Sequence, residues 1–152
     1  MSTLALTIRE SIRYRGRGGQ WSWIAHRISG LAILLFLTIH VWDTANAHFA
    51  PHVYQWSIDV FKWPPIALGE IPLMAAVLYH AFNGIRISIL DFKPELWKHQ
   101  KRSIQISWGL FLIIFIPIGL YMAYEMVHYW QGLGDAWLHF PRLSDYPPAG
   151  GS

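Results

Sequence analysis

The chain has 152 residues, of which 53% are hydrophobic, 16% aromatic and only 14% charged, with a mean hydropathy of +0.26. That balance is too apolar for an ordinary soluble domain and points to a membrane protein. The chain has no cysteine, so it can form no disulfide and cannot by itself hold an iron–sulfur cluster or a thiolate-bound zinc. Any metal must be held through histidine or carboxylate.

Residues 1–20 contain "LALTIRESIRYRGRGG", with apolar Leu4, Ile8 and Ile12 spaced between arginines. This spacing predicts a short amphipathic helix on the membrane surface or against a partner protein, followed by a glycine hinge. A mitochondrial targeting peptide is the competing reading, but its removal would leave almost nothing before the first span. Three segments then reach the ~20 apolar residues that a bilayer-spanning helix needs. The first is Trp21 to Ala47, and the second is Leu68 to Phe92, introduced by "WPP". The third, Ser103 to Tyr124, carries Pro117 as its expected kink. The fold class is thus an all-α membrane protein: one three-helix domain over residues 21–130, followed by an irregular tail over 131–152.

Basic residues set the topology. Arg9, Arg13, Arg15, Arg17 and Arg27 precede or open the first span, and Lys93, Lys98, Lys101 and Arg102 fill the loop between the second and third. Only Lys62 and Arg142 fall on the opposite side. The positive-inside rule therefore places the N-terminus and second loop in the cytoplasm, and the first loop and tail outside. The expected location is the inner (cytoplasmic) membrane of a prokaryote, with multiple passes. Topology alone explains the net charge of +3, and nothing points to nucleic acid. Trp21, Trp23, Trp56, Trp63, Trp97 and Trp130 lie near helix ends, as interfacial aromatics do.

Polar chemistry is concentrated in the first two spans. At 100° per residue, His80, Gly84, Ile87 and Asp91 share one stripe of the second, within "LYHAFNGIRISILD". His26, Ser29, Ile33, Leu37 and His40 share a face of the first. An imidazole with glycine one turn away leaves room for a flat group close to the backbone. Simpler readings stand beside this one. His80 can be an interhelical hydrogen-bond donor, His40 can reach interfacial water, and Arg27 and Arg86 can snorkel. Asp91 can face a loop, and Glu70 can be a charge at a helix N-terminus. His48, His52, His99, His128 and His139 fall in loops or tails. Spacing by itself does not decide among these readings.

"HRIS" at His26–Ser29 and "HAFNGIR" with Asp91 beyond it resemble the two signature motifs of the succinate dehydrogenase cytochrome b subunit. That subunit is the larger hydrophobic anchor of many succinate:quinone oxidoreductases. Motif order, the three-helix plan and the basic loop "KHQKRS" extend the resemblance over residues 20 to 125. The family implies that His80 is an axial ligand of haem b, opposite a ligand from a second anchor subunit. It implies that His26 and Arg27 lie near the haem propionates and the quinone, that Arg86 neutralises propionate charge, and that Asp91 lies where protons reach the reduced quinone. Ser29 joins that quinone group. Many members carry a serine three residues before the motif histidine, where this chain has Trp23 with Ser22 beside it, so both are further quinone-site candidates. Members often read Arg-His where this chain has Arg86 followed by Ile87.

A haem held by two histidines has no open position, so it transfers electrons rather than binding substrate. The expected cofactor is one haem b, or two if His40 is also an axial ligand, with a membrane quinone as substrate. The expected partners are the second anchor, an iron–sulfur subunit, a flavoprotein that oxidises succinate, and membrane lipid. A fumarate reductase anchor would run the same path in reverse. A haem-free structural or transport subunit, with His80 and Arg86 in a polar network or ion path, is the reading from a different class.

Overall fold

The computed structural model describes residues 17–148, and the amphipathic helix expected within residues 1–20 falls almost wholly outside them. Five α-helices follow in order: α1 (Arg17–Phe49), α2 (Pro51–Lys62), α3 (Pro64–Ala67), α4 (Glu70–Phe92) and α5 (Gln100–Leu133). Short 3₁₀ turns cover Pro94–His99, Gly134–Leu138 and Leu143–Asp145, and no strand occurs among the described residues.

Prolines and one glycine place the breaks. Pro51, Pro64 and Pro94 each open a helical segment, because proline tolerates the first turn and bars continuation from the one before. Trp63 and Lys93, each preceding a proline, leave the α region (φ −64°, ψ 130° and φ −131°, ψ 77°), which ends α2 and α4. Gly134 has φ +55°, a conformation that only glycine adopts without strain, and it stops α5. Pro117 sits inside α5.

Three stretches are long and apolar enough to cross a membrane: Gly19–Phe49, Pro64–Phe92 and Pro94–Leu133. The chain is a multi-pass membrane protein. At 1.5 Å per residue α5 is ~51 Å long against a ~30 Å hydrocarbon core, so at least one end projects past the membrane. Leu31, Leu34, Leu35 and Ile113 are all more than 60% exposed, a surface suited to lipid or to another apolar helix.

Helix α4 is central, packing on α1 along one side and α5 along the other. Helix α2, unanticipated from the sequence, packs against the end of α1. There Ser57 donates a hydrogen bond to the buried Asp43 carboxylate. The tail folds back onto α2: Trp56 Nε1 donates to the Pro141 carbonyl at 3.1 Å, and Tyr146 OH donates to Asp59 Oδ2 at 2.7 Å.

Candidate functional site

The seam between α1 and α4 holds three of the six buried polar residues among those described, Ser22, Ser29 and Asn83. Ser22 and Asn83 are 2% and 1% exposed, among the most enclosed side chains described. Ser22 Oγ donates to Asn83 Oδ1 at 2.7 Å, and Tyr79 OH donates to the Ser22 carbonyl at 3.0 Å. Arg86 closes the group, with Nε donating to Asn83 Oδ1 at 3.0 Å and Nη2 to Ser22 Oγ at 3.3 Å. Tyr79 also packs against Trp108 and Phe111 of α5, with ring centroids 4.9 and 5.8 Å away. The network therefore ties all three spanning helices together. In an apolar medium each of these groups would be costly without its partner.

One turn further along α1, the His26 and His80 rings stack, centroids 4.0 Å apart and planes 7° from parallel. His80 Nδ1 lies 3.1 Å from the His26 carbonyl and 3.2 Å from Ser29 Oγ. A carbonyl oxygen only accepts, so Nδ1 must carry the hydrogen, and the neutral ring keeps its lone pair on Nε2. Ser29 Oγ donates its own hydrogen to the same carbonyl at 2.9 Å, which leaves it an acceptor toward His80. Gly30 makes the stack possible. A Cβ there would stand 3.0 Å from His80 Cε1, whereas one on Gly84 would make an ordinary 3.5 Å contact with His26 Cε1. The flat group lying against Gly84 is thus the His26 imidazole.

Two nitrogens in this region are buried with no hydrogen-bond partner, His26 Nδ1 and Arg86 Nη1. Arg27 lies outside the seam, exposed, with its guanidinium 3.9 Å above the exposed Trp23 ring. Asp91 is exposed at the end of α4 and has no hydrogen bond to His26, Arg27 or Ser29. His40, also exposed, stacks on Phe36 at 5.4 Å and lines a cavity with Asp43 and Glu70. The structure therefore brings Ser22, His26, Ser29, His80 and Arg86 together, pairs Trp23 with Arg27, and leaves Asp91 and His40 apart from both.

The face of α4 also differs from the expected one. Tyr79, Asn83 and Leu90 are its buried residues, on a stripe one residue behind His80, Gly84 and Asp91. Tyr79 and Asn83 received no role from the sequence. The available signal was their i, i+4 spacing, continued by Arg86 at i+3, which puts three polar groups on one helix face.

The comparisons with known proteins fit this architecture. Residues 9–133 match the family model described as succinate dehydrogenase/fumarate reductase transmembrane subunit. The succinate dehydrogenase 2 membrane subunit SdhC of Mycobacterium tuberculosis is 38% identical over 136 residues, covering 86% of this chain and 98% of that protein. The succinate dehydrogenase hydrophobic membrane anchor subunit of Halobacterium salinarum is 26% identical, over 70% of this chain and 84% of that protein. The subunit of the same description from Archaeoglobus fulgidus is 28% identical, over 69% and 88%. With three spanning helices and a family match over most of its length, the chain belongs to the succinate dehydrogenase/fumarate reductase transmembrane subunit family.

Proposed function

We propose that this subunit, paired with a second hydrophobic anchor, binds haem b through His80 and helps pass electrons to a membrane quinone. The electrons come from succinate, through a flavoprotein and an iron–sulfur subunit docked on the cytoplasmic side. The observation that carries the reading is the hydrogen bond from His80 Nδ1 to the His26 carbonyl. Metal-bound histidines donate their second ring nitrogen in this manner, which fixes the tautomer and ring orientation and makes the ligating nitrogen more basic.

The residues present fit the group. Among the described residues no cluster of three or more metal-ligating side chains forms, but a haem ligated from two chains takes only one imidazole from each. His26 Nδ1 is a buried orphan beside His80, suited to donate to a propionate. Arg86, fixed by Asn83 and Ser22, places positive charge behind the pair. When bound, haem b supplies one-electron storage close to the quinone.

The quinone contact is assigned to Arg27 and Trp23. Arg27 is an exposed cation held over an aromatic face at the inner end of α1, able to donate to a quinone oxygen. Ser22 and Ser29 spend their hydroxyl hydrogens on Asn83 and on the His26 carbonyl, so they act as positioning residues for the seam and for His80. Asp91, exposed on the cytoplasmic end of α4, is the carboxylate through which protons reach that side.

A dithionite-reduced minus oxidised spectrum of the purified complex tests the reading. The wild type is expected to show a low-spin b signal that His80→Ala abolishes, while succinate oxidation with artificial dyes persists. Absence of any b-type signal from the wild type, or an unaltered one in the variant, overturns the assignment.

A further inference from the structure

A groove of about 270 Å³ runs between α4 and α5, at the end of the bundle that carries the Pro94–His99 turn. None of His26, Ser29 or His80 lines it. Its mouth carries Arg102 and His99, and no carboxylate is among its lining residues. Deeper in, two lining residues expose a problem: Ser107 Oγ and Arg86 Nη1 are both buried without a hydrogen-bond partner. Ser107 is only 6% exposed, so water gives it little relief. About a turn beyond these donors the groove is lined by Phe82 and Leu110, and Ile85, Ile89, Leu90, Leu96 and Ile106 line it at their level and nearer the mouth.

The order of these chemistries along the membrane normal identifies the occupant. The Arg102 guanidinium and the His99 imidazole, both N–H donors, stand at the mouth, Ser107 lies ~7.5 Å further along α5 than Arg102, and hydrocarbon alone lies beyond. A phospholipid presents the same sequence, with a phosphate, ester carbonyls that only accept hydrogen bonds, and then acyl chain. We propose that the groove is a binding site for one anionic phospholipid. Its phosphate pairs with Arg102 and His99, and a glycerol ester carbonyl accepts from Ser107 Oγ and Arg86 Nη1. A quinone, with a polar ring but no anion, would satisfy the deep donors and leave the cationic mouth unpaired. The site shares Arg86 with the haem assignment, while Ser107, Arg102 and His99 have no part in that assignment or in the quinone contact.

Lipid retained by the intact complex after washing in mild detergent, quantified by mass spectrometry, tests this. Thermal unfolding with added phosphatidylglycerol or phosphatidylcholine accompanies it. The wild type retains anionic phospholipid and is stabilised by phosphatidylglycerol well above any effect of phosphatidylcholine. Arg102→Gln should weaken the phosphatidylglycerol response about fivefold, and Arg102→Gln with His99→Gln should lose retention altogether, in complexes that size-exclusion chromatography shows to be assembled. Ser107→Ala should lower retention without altering the mouth. Equal retention in wild type and variants, equal responses to the two lipids, or a quinone as the molecule whose retention these substitutions abolish would each overturn the proposal.

Discussion

The imidazoles of His26 and His80 lie parallel at 4.0 Å although the residues are 54 positions apart, and the same two residues share a hydrogen bond from Nδ1 of one to the carbonyl of the other. The stack and the bond together leave His80 one orientation, and Gly30 is the reason α1 can come close enough.

Alanine at that glycine therefore acts on His80. In Gly30→Ala the new Cβ meets His80 Cε1 at 3.0 Å, so the ring must move, even though alanine favours a helix over glycine by ~1 kcal/mol. The b-type spectrum is expected to shift or broaden. Gly84→Ala adds an ordinary 3.5 Å contact to His26 and should leave the spectrum close to that of the wild type. Indistinguishable spectra for the two variants would show that the ring is not held as described.

Arg27→Leu removes a charged donor without touching the buried network. A hydrogen bond to a charged group is worth ~1.5–3 kcal/mol, so quinone reductase activity should fall about tenfold to a hundredfold while dye reduction is retained. Arg27→Lys should recover only part of the loss, since an ammonium lacks the planar fork and stacks less well on Trp23. Parallel loss of both activities points to failed assembly instead.

His40 lies ~21 Å from His26 along α1, too far to serve the same haem plane. If it ligates a second haem with the other anchor, pyridine haemochrome analysis should give about two haems per anchor pair, falling to one in His40→Ala. One haem in the wild type returns His40 to its contact with Phe36 and the cavity beside Glu70.

The tail contact is sensitive to pH at both ends. The hydrogen bond from Tyr146 holds the Asp59 carboxyl below its ordinary range, with help from Lys62 and against a burial cost. Its contribution is present above the ordinary carboxylate pKa of ~3.9 and is lost as pH falls through the lowered value. The same bond, with burial, pushes the Tyr146 phenol up, so that contribution is full below ~10 and is lost as pH rises through the raised value. Limited proteolysis of the tail should be slowest between these limits, and Tyr146→Phe should be cut faster there. A variant cut at the wild-type rate at neutral pH would show that this bond does not hold the tail.

The class of protein and its three spans were legible from composition and hydropathy, because a bilayer imposes length and polarity rules on each helix separately. The helix end at Phe92 also follows a local rule, from the proline two residues beyond it, whereas α5 runs on to Leu133, past the expected Tyr124, and stops at Gly134. Only tertiary structure decided which polar groups meet. His80 and Asp91 share a stripe at 100° per residue, yet α4 buries the adjacent stripe of Tyr79, Asn83 and Leu90, because its partners α1 and α5 approach from two sides. Periodicity shows which residues share a face and does not rotate that face toward a neighbour. Ser22 was a quinone-site candidate by its place beside a motif, and only the structure shows its hydroxyl buried on Asn83 and Arg86, 61 and 64 positions away. Helix α2 was overlooked although its 12 residues are amphipathic and open on Pro51, both local helix signals. What no local pattern encodes is its place, held by Ser57 on Asp43 and by a tail that folds back from the far end of the chain.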